Sequence, residues 1–289
     1  MVSPLVSVFD LVVVLFAFVT LVGDAWFVLV GLSLLYWIGP RYIEAARPIA
    51  VVCVSFAVIG LAIVLTIKTA TSLPRPAAMP LDPAGLPAVV GSFVASEADA
   101  SGFAFPSGHT VAATVVYGGL AVLLSVGRRR VRYLAASGVI GLVGLSRLVL
   151  EVHYPRDVAA GLFIGGMILM VGLTVGRDGE RLRPDRLFGL AAVIAVVGLA
   201  VAAEAGHTRE LTQAAIAIGT AVVGAGIWYR WAQRLTAAPP VSLPVAVVGL
   251  MAAGGLWMMA YAGVVSTVGA AFASGLAVSC ILLLPLLGT

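Results

Sequence analysis

The sequence predicts an all-α integral membrane protein of about ten transmembrane helices, and three observations carry that prediction. Hydrophobic residues make up 61% of the 289-residue chain and charged residues only 10%, against roughly a quarter charged in soluble domains. Mean hydropathy is +1.12. Apolar runs near the ~20 residues that a bilayer crossing requires recur along the whole chain, broken at Gly, Pro and charge clusters.

The runs fall at approximately 5–22, 24–39, 49–68, 107–126, 131–150, 155–176, 187–204, 210–229, 241–261 and 264–287. The first follows MVSP, which lacks a basic region, and Asp10 interrupts it, so a cleavable signal peptide is disfavoured. Between the third and fourth runs lie about 38 residues rich in Pro, Ala, Gly and Ser, with Asp82, Glu97 and Asp99 and no strong helical period. A loop of that length is expected to be functional or disordered, and it reads as a lip over one face. RDGERLRPDR, residues 177–186, is a charged hinge and divides the chain into segments 1–176 and 177–289. Only a Gly/Ser-containing stretch near Gly263 to Ser266 separates the last two runs. Cys53 and Cys280 fall inside predicted spans, where small apolar packing is expected.

Lys and Arg favour cytoplasmic loops. Twelve of the 17 basic residues, all arginines, fall in one alternating set of loops, from Arg41 and Arg47 through the clusters 128–132 and 177–186 to Arg230 and Arg234. Both termini and these loops are therefore expected in the cytoplasm. The net charge of +4 then reflects topology and headgroup contacts rather than a nucleic-acid partner. The opposite set holds Lys68, Arg75, Arg147, Arg156 and Arg209, and all but Arg209 lie in or beside three polar islands.

The first island runs from Lys68, the sole lysine, to Arg75-Pro76. Either cation could be an interfacial anchor that snorkels to headgroups or half of an anion clamp. The second is Pro106-Ser107-Gly108-His109 at a helix start. Ser107 is a plausible N-cap, and free backbone N–H groups there favour an anion, although an ordinary capped helix fits as well. In the third, Ser146-Arg147 closes one helix, and His153 and Asp157 bracket Pro155 at the start of the next. A carboxylate four residues after a histidine can hold one ring nitrogen and leave the other as nucleophile or ligand. Three cations, a nucleophile and an acid on one face suit a phosphate ester. The islands leave no cluster of Asp, Glu or His over for a metal.

These residues resemble the type 2 phosphatidic acid phosphatase superfamily. Its Lys, six residues, Arg-Pro signature is matched by Lys68, Arg75 and Pro76. Pro-Ser-Gly-His is matched by Pro106 to His109, and Ser-Arg, five residues, His, three residues, Asp by Ser146, Arg147, His153 and Asp157. The resemblance covers roughly residues 5–176 and implies a six-helix phosphatase core followed by four C-terminal helices of unknown role. It implies a mechanism without metal or other cofactor, in which His153 attacks phosphorus and Asp157 holds its ring. Lys68, Arg75, Ser107, Gly108 and Arg147 would bind phosphoryl oxygens, and His109 would protonate the leaving group and then activate water.

The expected substrate is a lipid phosphate or diphosphate, of phosphatidic acid, phosphatidylglycerol phosphate or polyprenyl diphosphate type, cleaved at the extracytoplasmic face of the cell membrane. Phosphotransfer to an alcohol and noncatalytic lipid binding or transport are the alternatives. Vanadate-dependent halide oxidation, found in a soluble branch, fits less well. In the C-terminal segment, Glu204, His207, Arg209 and Glu210 form an outer polar group, and His207 is expected to be an interfacial loop residue. The sequence does not specify the oligomeric state.

Overall fold

The computed structural model describes residues 7–76, 81–99 and 101–287. The start of the first predicted span and five residues of the long loop lie outside these. The described chain is a bundle of α1 (Val8–Thr20), α2 (Ala25–Trp37), α3 (Ala46–Thr71), α4 (Ala88–Glu97), α5 (Gly108–Leu123), α6 (Arg129–Val149), α7 (Pro155–Val175), α8 (Pro184–Ala205), α9 (Thr208–Ala237), α10 (Leu243–Tyr261) and α11 (Thr267–Leu287). A two-residue-per-strand hairpin, Arg177–Asp178 with Arg181–Leu182, occupies the charged hinge. Among the described residues, seven helices are long and apolar enough to cross a bilayer, as expected of a multi-pass membrane protein.

Ten separate crossings are not reproduced. The first two predicted spans are helices of 13 residues each, bent by 48° at a break ending in Asp24, and together they form at most one span. At 1.5 Å per residue neither reaches across a ~30 Å hydrocarbon core. Val13 and Ala17 of α1 pack with Leu81, Val94, Leu150 and Val152, residues of the long loop and of the turn after α6. The Val13 and Ala17 face of α1 therefore packs at the end of the bundle that carries this loop. The 16-residue α5 is also short, and it is enclosed by α3, α6 and α7. A second difference is α4, which forms inside the loop and lays Val94 against α1 and Phe93 on Phe18, with ring centroids 4.7 Å apart.

Close backbone approach fixes α7 on α5. A Cβ on Gly161 would stand 2.9 Å from Cβ of Thr110, and one on Gly165 only 2.5 Å from Cβ of Thr114. Small residues at such a crossing let van der Waals packing act where lipid offers no hydrophobic drive. The C-terminal helices are continuous with this core. α8 and α9 pack on α3, and one apolar cluster joins Phe56 and Val115 to Phe188, Trp228 and Val278. Arg47 reinforces the join: its guanidinium donates to the carbonyls of Tyr36, Leu235, Ala238 and Pro239, ending α9.

Candidate active site

Helix ends bring the three islands to one end of the bundle. Lys68 stands in the last turn of α3, Arg147 in the last turn of α6, Ser107 at the N-cap of α5, and Asp157 in the first turn of α7. Main-chain bonds stitch the connecting segments together: Ala104 N–H donates to Leu73 O at 2.8 Å and Ser107 N–H to Asp157 O at 3.0 Å. The second bond sets the PSGH turn directly on the first turn of α7.

His153 lies at the centre, its side chain 1% exposed, with Nδ1 3.5 Å from Oδ2 of the fully buried Asp157. That oxygen also accepts the Tyr154 N–H at 2.8 Å, which fixes the carboxylate at the helix start. Burial, and then the charges of Arg75, Lys68, Arg147 and His109, hold the His153 imidazole well below its ordinary range. The ring is thus neutral at physiological pH, with a lone pair available. These four groups are thus near enough to His153 to act on its charge.

The cations are incompletely satisfied. Arg147 is 3% exposed and donates from Nη1 to Thr20 Oγ1 at 2.6 Å, while its buried Nε has no partner. Among the described residues Arg75 donates only to Asp99 O, at 3.3 Å, and its buried Nε finds no partner there. Of seven buried side-chain nitrogen and oxygen atoms without a partner among the described residues, four belong to Arg75, Arg147, His153 and Asp157. Buried donors are rarely orphaned unless a ligand completes them. Ser107 is fully buried, and its hydroxyl accepts from Thr110 Oγ1 at 3.0 Å, which leaves its own proton for a further acceptor. Gly108 opens α5 with its first free amide.

Three residues outside the predicted set join the site. Asp24, at the break between α1 and α2, meets His109 Nε2 through Oδ1 at 2.6 Å and accepts Trp26 Nε1 on Oδ2. An acidic residue inside an apolar stretch is itself a functional signal in a membrane protein. Glu97, at the end of α4, lies with Asp24 and His109 so that their ligating atoms fall within 4.8 Å of one another. The sequence leaves no such cluster over for a metal; the structure assembles one from three distant segments. Burial first, and the neighbouring Asp24 second, raise the Glu97 carboxyl to about 7, against the opposing pull of Arg147. The third, Arg209 of α9, reaches the lip and donates to Ser101 Oγ at 3.4 Å. His207 stacks on Phe103 of the lip, with ring centroids 5.1 Å apart, while Arg156 is exposed and lies over Tyr154.

Residues 48–181 match the PAP2 superfamily. A curated relative, phosphatidylglycerophosphatase B of Bacillus subtilis (strain 168), is 36% identical over 84 residues, covering 27% of this chain and 40% of that protein. The chain thus spans well under two thirds of that relative's length. No solved structure matches it.

Proposed function

From a chain whose residues 48–181 belong to the PAP2 superfamily, we propose a phosphatase that hydrolyses a lipid phosphate through a phosphohistidine at His153. One observation carries the reading: a buried neutral histidine surrounded by cations whose guanidinium Nε atoms are unpaired. A phosphoryl group supplies the oxygens those donors lack. The relative's name, a phosphatase of a lipid phosphate, points the same way.

In the first step the His153 lone pair attacks phosphorus and the bond to the leaving oxygen breaks, with His109 giving that oxygen a proton. With Nε2–H held by Asp24, His109 enters this step as the imidazolium and donates from Nδ1, leaving the neutral ring. In the second step Nδ1 takes a proton from water, the water oxygen attacks phosphorus, and the electron pair of the P–N bond returns to His153. Asp157 stabilises the imidazolium formed in between. Lys68, Arg75, Arg147, the Ser107 hydroxyl and the Gly108 amide neutralise the transferring oxygens, usually the largest catalytic contribution. No step in this sequence needs a metal. The twelve arginines of the other loop set put the opposite end of the bundle in the cytoplasm, so the site opens on the extracytoplasmic side.

Phosphate release from long-chain phosphatidic acid by the purified protein tests the reading, with His153→Ala and a chelator alongside. Turnover and covalent phosphate labelling are expected to vanish in His153→Ala and to survive the chelator. Full activity in the alanine variant overturns the mechanism, and loss on chelation would turn Asp24, Glu97 and His109 into ligands. Products formed with an added alcohol separate hydrolysis from phosphotransfer.

A further inference from the structure

The last four helices lie beyond the family match, and α10 forms one wall of a cavity that the mechanism does not use. The cavity measures about 600 Å³ and runs between α2 and α10. Leu29 and Val30 line one side, Leu250, Gly254 and Met258 the other, and Asp24 and Glu97 stand at its mouth. It is open toward the surrounding bilayer, where Trp26 is 57% and Met258 69% exposed.

Its mouth is continuous with the site, because the Asp24 that lines it bonds His109 at 2.6 Å. The walls extend from Asp24 to Ser33 on α2 and from Tyr261 to Leu250 on α10. At 1.5 Å per residue that is roughly 15 Å, the depth of one leaflet of a ~30 Å hydrocarbon core. The groove is therefore apolar over one leaflet, and its Asp24 end lies one imidazole ring away from the Nδ1 that serves the leaving oxygen. We propose that it holds the hydrocarbon chain of the substrate, joined to the phosphate through an uncharged linker that passes beside the Asp24 and Glu97 carboxyls. Two carboxyl groups at the mouth disfavour a second anion there, which leaves an uncharged linker. This rests on the phosphatase reading and gives the C-terminal helices a role in it: α10 is the wall that selects a long chain.

Two glycines make the test specific. A side chain at Gly254 meets open space inside the groove, and one at the adjacent Gly255, which does not line it, also meets open space. Gly254→Trp is expected to lower the ratio of kcat/KM for dioleoyl to dihexanoyl phosphatidic acid by about tenfold, the scale of a few lost methylene contacts. Gly255→Trp is expected to leave the ratio at its wild-type value. Equal ratios in both variants overturn the proposal.

A readout independent of turnover is photolabelling of the full-length protein by a phosphatidic acid with a diazirine in its acyl chain. Adducts are expected on residues 25–33 and 250–258, displaced by unlabelled dioleoyl phosphatidic acid and not by dioleoylglycerol. Adducts spread over the lipid faces of α6 and α8, or displaced equally by both lipids, overturn it. Absence of phosphate release from every substrate sinks the phosphatase reading alone, since the labelling still reports on the groove.

Discussion

Arg47 and Arg147 are almost equally buried, at 2% and 3% exposure, at opposite ends of the bundle. Arg47 spends its guanidinium on four carbonyls of its own fold. Arg147 bonds Thr20 Oγ1 and, weakly, Glu97 O, and its Nε has no partner. Burying a cation is costly unless hydrogen bonds complete it. The first arginine is completed by the protein and so holds it together. The second is left for something else to complete, and burial alone does not distinguish them.

Replacing each by leucine gives the largest and most direct break of that contrast. Arg147→Leu is expected to cost roughly 10²–10³ in kcat/KM, the scale of losing one preorganised donor to a developing charge. Its unfolding midpoint should stay at or above that of the wild type, since an uncompensated buried charge has been removed. Arg47→Leu is expected to do the reverse: about 3 kcal/mol of stability lost as the carbonyls at the end of α9 lose their donor, with near-normal turnover per folded molecule. Denaturant unfolding in detergent beside initial rates checks both. Similar profiles for the two variants would end the distinction.

At the site end, the next contrast lies between two histidine–carboxylate pairs. His153 and Asp157 are four residues apart at 3.5 Å, whereas His109 and Asp24 are 85 apart at 2.6 Å. Asp24→Asn is expected to lower kcat roughly 10- to 100-fold, since a misoriented acid loses part of the gain from general acid–base catalysis. KM should hold, because Asp24 bonds His109 and Trp26 and none of the cations. A rise in KM with kcat intact would make Asp24 a binding residue instead.

The same separation explains what was legible in the sequence. Apolar runs revealed ten of the eleven described helices, because lipid demands ~20 apolar residues wherever a span forms. They overcounted crossings at α1 and α2, where hydropathy cannot register a 48° bend at Asp24. α4 escaped because its period is short and its setting is rich in Pro, Gly and Ser. In the site, residues within a turn of one another could be read by spacing, as His153 with Asp157 and Ser107 with Gly108. Asp24, Glu97 and Arg209 could not be paired with the site by any period, since their meeting depends on how α1, α4 and α9 pack.

Glu97 sets the smallest effect and the finest test of an unsaturated site. Its carboxyl lies near 7 because burial and Asp24 both disfavour its charge. It is thus protonated below that pH and ionised above it. Ionisation adds a negative charge that offsets Arg147 and repels an incoming phosphate, so KM should rise between pH 6 and pH 8 by roughly fivefold, about 1 kcal/mol of Coulomb energy. The substrate's own second ionisation, near pH 6, also shifts KM over this range, so the informative quantity is the difference from Glu97→Gln. That variant should lack the rise attributable to the carboxyl and match the wild type below pH 6. Superimposable profiles would remove Glu97 from the charge balance around Arg147. Distinct profiles would mean that the charge left uncompensated at this end can be adjusted by one proton. Arg47, held by carbonyls that do not titrate, has no such sensitivity.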